Sequence, residues 1–125
     1  YHPTLNIENL KKNTKYTFTN KSFGELINNC GIVISNISSV CVESLALGIP
    51  VIVVQGSTSI NQNPIPVNID KHLWDECDNQ NDFKKTFTRL YLEKNKIDLV
   101  ETAKVIRNKY FKPVNAFNVN QFLDN

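Results

Sequence analysis

The chain has 125 residues, with 41% hydrophobic and 21% charged side chains. That composition fits one globular domain and excludes a disordered or collagen-like chain. The net charge of +2 is too small to argue for nucleic acid as a partner, and no apolar run is long enough to span a bilayer.

Tyr1-His2-Pro3 reads as the end of a strand, so the chain is expected to be the C-terminal part of a larger protein. Residues 4–15 begin with a short helical pattern and become Lys-rich. Tyr16 to Thr19 has strand composition, with aromatics alternating against Thr. Ser22-Phe23-Gly24-Glu25 matches a capping box and predicts a short helix to about Asn29.

Residues 31–54, GIVISNISSVCVESLALGIPVIVV, carry the densest pattern. They predict a buried strand from Ile32 to Ser35, a helix capped by Ser38 and running to Leu47, and a second buried strand from Val51 to Val54. Gly48 supplies the left-handed stop and Pro50 blocks continuation. Strands apolar throughout are expected where helices cover both faces of a parallel sheet.

Residues 55–71 hold Gly56, Ser57, Ser59, Asn61, Asn63, Pro64 and Pro66, and predict a long loop. Such a loop is usually functional. The stretch Asn61 to Pro66 is suited either to covering a sugar or base or to serving as ordinary surface. Trp74 is expected to be a core anchor rather than a stacking platform, and His72 a surface residue. Asp82 to Lys94 predicts an amphipathic helix with Phe83, Phe87, Leu90 and Tyr91 on one face. Its sequence FKKTFTRLYLEKNK offers either a face for anionic lipid or a plain solvated face. Asp98 to Tyr110 predicts another helix, carrying Leu99, Ala103 and Ile106. A short final helix would hold Val119, Phe122 and Leu123.

The chemistry concentrates in the turn Ser35-Asn36-Ile37-Ser38-Ser39. A helix N-terminus leaves backbone N–H groups unpaired and carries roughly half a positive charge. Those groups and the hydroxyls of Ser38 and Ser39 can receive a phosphate, at the sheet edge where ligands bind. The plainer reading is that Ser38 only caps the helix, worth about 1 kcal/mol. Glu43 lies one turn after Ser39 and can hydrogen-bond a ribose, or it is simply a solvated surface acid. His2 can donate to a phosphate or a leaving group, or is a surface histidine. Cys30, Cys41 and Cys77 lack metal-ligand spacing. Cys30 and Cys41 read as small buried hydrophobes, which favours a reducing, cytoplasmic setting.

The pattern S-x-x-S-S-V-x-x-E-S-L-A-L-G-I-P-V-I resembles the donor-site signature in the C-terminal Rossmann-like domain of GT-B-type glycosyltransferases. The similarity is strong over residues 31–54, partial at Tyr1 to Thr4 and thin elsewhere. Retaining members of that superfamily carry two Glu eight positions apart on this helix. Glu43 matches the second, and Ser35 stands in place of the first. His-Pro upstream with Ser-Ser at the helix start is similar to bacterial sialyltransferases and polysialyltransferases, and to capsule transferases.

The resemblance implies an α/β fold: a Rossmann-like three-layer α/β/α domain with a short parallel sheet, half of a GT-B fold, over residues 1–125. It implies a nucleotide-sugar donor, CMP- or CDP-linked, bound by Ser35, Asn36, Ser38, Ser39 and Glu43, with His2 as the catalytic contact. No cofactor or metal is expected. The implied role is in bacterial surface polysaccharide (capsule or lipopolysaccharide) biosynthesis. A glycan or lipid-linked acceptor, a separate N-terminal domain holding the catalytic base, and peripheral attachment to the inner face of the membrane complete the expectation. Two alternatives stay open: a non-hydrolysing sugar-nucleotide 2-epimerase-like domain and a non-catalytic flavodoxin-like binding module.

Overall fold

A computed structural model describes residues 17–55, 63–93, 99–113 and 115. The chain forms an α/β fold around a short parallel three-stranded sheet. The elements are helix α1 (Phe23–Leu26), a 3-10 turn (Ile27–Asn29), strand β1 (Val33–Ser35), helix α2 (Val40–Ala46) and strand β2 (Val51–Val54). Strand β3 (Trp74–Cys77), helix α3 (Gln80–Glu93) and helix α4 (Leu99–Tyr110) follow.

Strand order is β1-β2-β3, and both pairings are parallel. Val51 stands opposite Val33 and Trp74, and Val53 opposite Ser35 and Glu76. Because side chains alternate along a strand, β2 feeds two apolar clusters. Val51 and Val53 join Cys41, Leu45, Ile65, Ile69, Trp74 and Ile106 in one. Ile52 joins Cys77 and Leu90 in the other. Helix α2 packs on β1 and β2, α4 packs on α2, and α3 packs on β2 and β3.

The turn from α2 into β2 follows the predicted chemistry. Gly48 has φ of +76°, its N–H reaches the Leu45 carbonyl at 3.0 Å, and the Ile49 N–H reaches Ser44 at 2.9 Å. This pair of bonds is a Schellman closure, which satisfies carbonyls the helix end leaves over. The Pro50 carbonyl then accepts from the Val33 N–H at 2.9 Å, and the Val51 N–H donates to Leu73 at 2.9 Å. One turn thus starts both parallel ladders. At the chain's first described helix, the Glu25 carboxylate accepts from the Ser22 N–H at 2.7 Å and its hydroxyl at 2.6 Å. These bonds, the hydroxyl's first, hold the Glu25 carboxyl below its usual pKa.

Several expectations need correction. Residues 17–19 form no strand; Phe18 is exposed, and the Thr19 hydroxyl takes the Lys21 N–H at 3.1 Å, a local bond that competes with sheet pairing. Helix α3 starts at Gln80, two residues early, because Asn79 caps it by accepting the Asp82 N–H at 3.0 Å. Strand β1 is not buried on both faces, since Ile34 is 50% exposed. A helix about 10 Å wide covers two strands spaced about 4.8 Å apart, and α3 covers β2 and β3.

Strand β3 was absent from the sequence expectation. Its Asp75 and Glu76 break the apolar pattern, and each finds a partner in the fold. Asp75 pairs with Arg89 of α3 at 2.9 Å, and Glu76 accepts from Gln55 and Asn63. The predicted strand end at Tyr1 to Pro3, the helical pattern of residues 4–15 and the final helix near Val119 lie outside the described residues. The predicted loop keeps Ile65 and Ile69 in the core, so its described part is packed rather than loose cover. Trp74 is a core anchor as expected, 3% exposed, with its ring N–H donating to the Ile69 carbonyl at 3.1 Å.

The two helix-associated glycines give a paired test. A Cβ on Gly48 would sit 3.1 Å from the Leu99 carbonyl oxygen, at a φ that side chains rarely adopt. Gly48→Ala is expected to lose about 1–3 kcal/mol in urea unfolding at constant slope. A Cβ on Gly24 meets nothing within 4 Å; Gly24→Ala is expected to be neutral or stabilising by up to about 1 kcal/mol.

Candidate functional site

The carboxyl ends of the three strands form one edge, and two features gather there. The first is the turn after β1. Ser35 is the last residue of that strand, and Asn36 and Ser39 are exposed while Ser38 is half-buried. The Ser38 hydroxyl accepts from the Val40 N–H at 3.3 Å, and the Ser38 carbonyl accepts from the Cys41 N–H at 3.1 Å. Ser38 therefore does cap α2, although Ser39 is the last residue before the helix and already has helical dihedrals. Beneath the turn, the fully buried Cys41 thiol donates to the Asn36 carbonyl at 3.6 Å. Ser44, also fully buried, donates to the Val40 carbonyl at 2.6 Å. These contacts tie the turn to the core and leave the Ser39 side chain outward.

The second feature is a cleft of about 290 Å³ lined by Gln55, Glu76, Cys77 and Asp78, at the ends of β2 and β3. The Gln55 N–H continues the ladder by donating to Cys77 at 2.8 Å. Its amide also donates to Glu76 at 2.5 Å, and Asn63 donates to the other Glu76 oxygen at 2.9 Å. The cleft thus presents carboxylate and amide oxygens at an anionic, hydroxyl-accepting surface. None of these four is among the site residues expected from sequence, and only Cys77 is named there, as a cysteine without metal-ligand spacing. The signal for Gln55 was available, because it directly follows a predicted parallel strand. The others depended on recognising β3.

Glu43 is placed elsewhere. It is half-buried and lines a groove of about 440 Å³ with Phe23, Gly24, Ile27, Ala46, Leu47, Arg107 and Phe111. Its N–H reaches back to the Ser39 carbonyl at 3.1 Å, so the one-turn spacing holds. The structure therefore brings Ser35, Asn36, Ser38 and Ser39 together, with Glu43 one turn along the helix and facing the α1 and α4 side. His2 lies outside the described residues. His72 is exposed near Asp70, as expected for a surface residue. Among the described residues, no group of three or more His, Cys, Asp or Glu is placed to hold a metal ion.

Compared with protein-family models, with curated proteins and with solved structures, the chain matches none.

The thiols report on how tightly the edge is packed. Burial pushes the Cys41 thiol up from its ordinary value, partly offset by a hydrogen bond with Ser35. Burial first, then the nearby Asp78, Asp75 and Asp82 charges, push Cys77 up. Cys30 is only half-buried, against expectation, since its side chain sits before β1 and bonds the Ile32 carbonyl at 3.2 Å. In native protein at mildly alkaline pH, one thiol, Cys30, is expected to react promptly with a maleimide. Cys41 and Cys77 should react only as the protein unfolds, as peptide mass mapping would show.

Proposed function

We propose that this chain is the donor-nucleotide-binding half of a GT-B-type glycosyltransferase acting in bacterial surface polysaccharide synthesis. In this reading the sheet and its helices are a Rossmann-like three-layer α/β/α domain. One observation carries it: a serine turn at the carboxyl end of β1, held to the core by Ser38 and Cys41, leads into a helix between two parallel strands. That is the location at which open parallel sheets bind phosphorylated ligands.

The reaction is transfer of a sugar from a nucleoside phosphate to an acceptor hydroxyl. The bond from the sugar's anomeric carbon to the phosphate oxygen breaks, and a bond to the acceptor oxygen forms. The acceptor proton passes to a base in the partner domain. Ser39, Ser38 and the backbone N–H groups of the turn stabilise the negative charge left on the phosphate. His2 adds a further donor to that phosphate, and Ser35 and Asn36 shape the turn. Glu43 takes the ribose hydroxyls once the donor extends along α2. The carboxylates of Glu76 and Asp78 repel phosphate and suit sugar hydroxyls, so the two features of the edge divide the donor between them.

Amide NMR titration with CMP, CDP, UDP and GDP tests this directly. Cytidine nucleotides are expected to shift resonances from Ser38 to Glu43. Ser39→Ala should weaken binding roughly tenfold or more, as for loss of a hydrogen bond to a charged group. It should change stability by less than about 0.5 kcal/mol, because the side chain is exposed. Absence of any shift with all four nucleotides would leave a non-catalytic binding module as the better reading.

A further inference from the structure

Helix α1 is 4 residues long, and none of them is buried. A helix that short does not hold its shape in water alone and depends on packing of an apolar face. Its Phe23, with Ile27 just beyond it, lines the groove of about 440 Å³ that also runs past Leu47 at the end of α2 and Phe111 after α4. Leu47 is 50% exposed and Phe111 43%. The groove is therefore a hydrophobic trough walled by three helices, and its apolar walls are only partly covered by the described residues.

The charges in this trough are few. Glu43 of α2 and Arg107 of α4 are the charged residues among its lining. Neither forms an ion pair within the described residues. An apolar groove with one or two polar groups suits an amphipathic segment whose own charge falls in a matching place.

Such a segment follows closely in the chain. Residues 116–125, AFNVNQFLDN, come soon after Phe111 and lie outside the described residues. Val119, Phe122 and Leu123 fall at i, i+3 and i+4, the spacing of one helix face. The segment has no Lys or Arg, and Asp124 is its one charged side chain. Residues 4–15 are lysine-rich instead and offer Arg107 a poorer match. The linking residues 112–118 can each span about 3.3 Å, which is ample to turn back over the end of α4.

We propose that residues 116–125 fold back into this groove and complete the packing of the domain. Val119, Phe122 and Leu123 cover Phe23, Ile27, Leu47 and Phe111. Asp124 pairs with Arg107 and keeps away from Glu43, which sets the direction of the segment. The contact supplies the apolar cover that α1 lacks. This inference stands apart from the nucleotide reading, since it needs neither the serine turn nor the Glu43 side chain.

Methyl NMR of the full chain without nucleotide tests it. Leu123 and Val119 methyls are expected to show contacts with the rings of Phe23 and Phe111. Phe122→Ser/Leu123→Ser should abolish the Val119 contacts and raise the fluorescence of added anilinonaphthalene sulfonate at least about threefold as the groove opens. Phe111→Ser changes nothing in the segment, yet it should move the Leu123 methyl shifts to random-coil values. Both variants should keep the emission of the buried Trp74, which reports an intact core. Random-coil Leu123 shifts in the parent would overturn the proposal. So would groove contacts made by residues 4–15, or contacts found only between differently labelled copies of the chain.

Discussion

Everything in this fold depends on β2 being satisfied on four sides at once. Its backbone is paired with β1 on one side and β3 on the other. Val51 and Val53 project into one apolar cluster, and Ile52 into the second. A strand of four residues can do this only if its neighbours arrive in register, and the Gly48 turn sets that register. The left-handed glycine closes α2, and the carbonyl of Pro50 meets Val33 immediately afterwards. The close approach of Leu99 to Gly48 makes the same turn a contact point for α4. Helix closure, ladder initiation and packing between helices are therefore concentrated in about three residues.

The carboxyl edge follows from that arrangement. With β1 and β2 fixed in parallel, the chain must leave β1 at the end where it later leaves β2 and β3. The serine turn, Gln55 and Asp78 are brought to one edge by topology, although they are far apart in sequence. The turn itself is held from below rather than from above. Cys41 and Ser44 spend their polar groups on the backbone of residues 36 and 40. Ser38 satisfies Val40 and Cys41, which leaves Ser39 as the hydroxyl whose orientation the fold does not consume.

The parts legible in sequence are those where local chemistry and burial agree. The segment from β1 through β2 reads correctly because its apolar runs, its glycine stop and its proline all impose one order. The capping box at Ser22 reads correctly because both its residues act within four positions. Strand β3 was illegible because the partners that fit Asp75 and Glu76 to a sheet include Arg89, Gln55 and Asn63, which are distant in sequence, beside the nearer Lys71. Helix α3 was half-legible: its periodicity is right, but Phe87 and Tyr91 look like core residues until the width of the sheet is known. A three-stranded sheet offers the inner face of α3 room for Leu90, Thr86 and Phe83 and no more. The same narrowness exposes Ile34, which continuous apolar sequence had assigned to the interior.

The cleft beside the serine turn adds an electrostatic argument that the motif alone lacks. Glu76 is ringed by donors from Gln55 and Asn63, with Lys71 3.9 Å from one of its oxygens. Under the proposed reading, a phosphate entering this edge would meet the Gln55 amide at the end of β2, the carboxylates of Glu76 and Asp78 at β3, and the exposed Ser39 hydroxyl in the turn after β1. Like charges a few ångströms apart repel strongly at a partly desolvated surface. Under the proposed reading, the donor's phosphate would go to the serine turn and its uncharged, hydroxyl-rich part to the cleft. In that reading, an edge with a hydroxyl turn at β1 and acids at β3 would suit a molecule that is itself anionic at one end and neutral at the other. A bare phosphate would use only the first half of it.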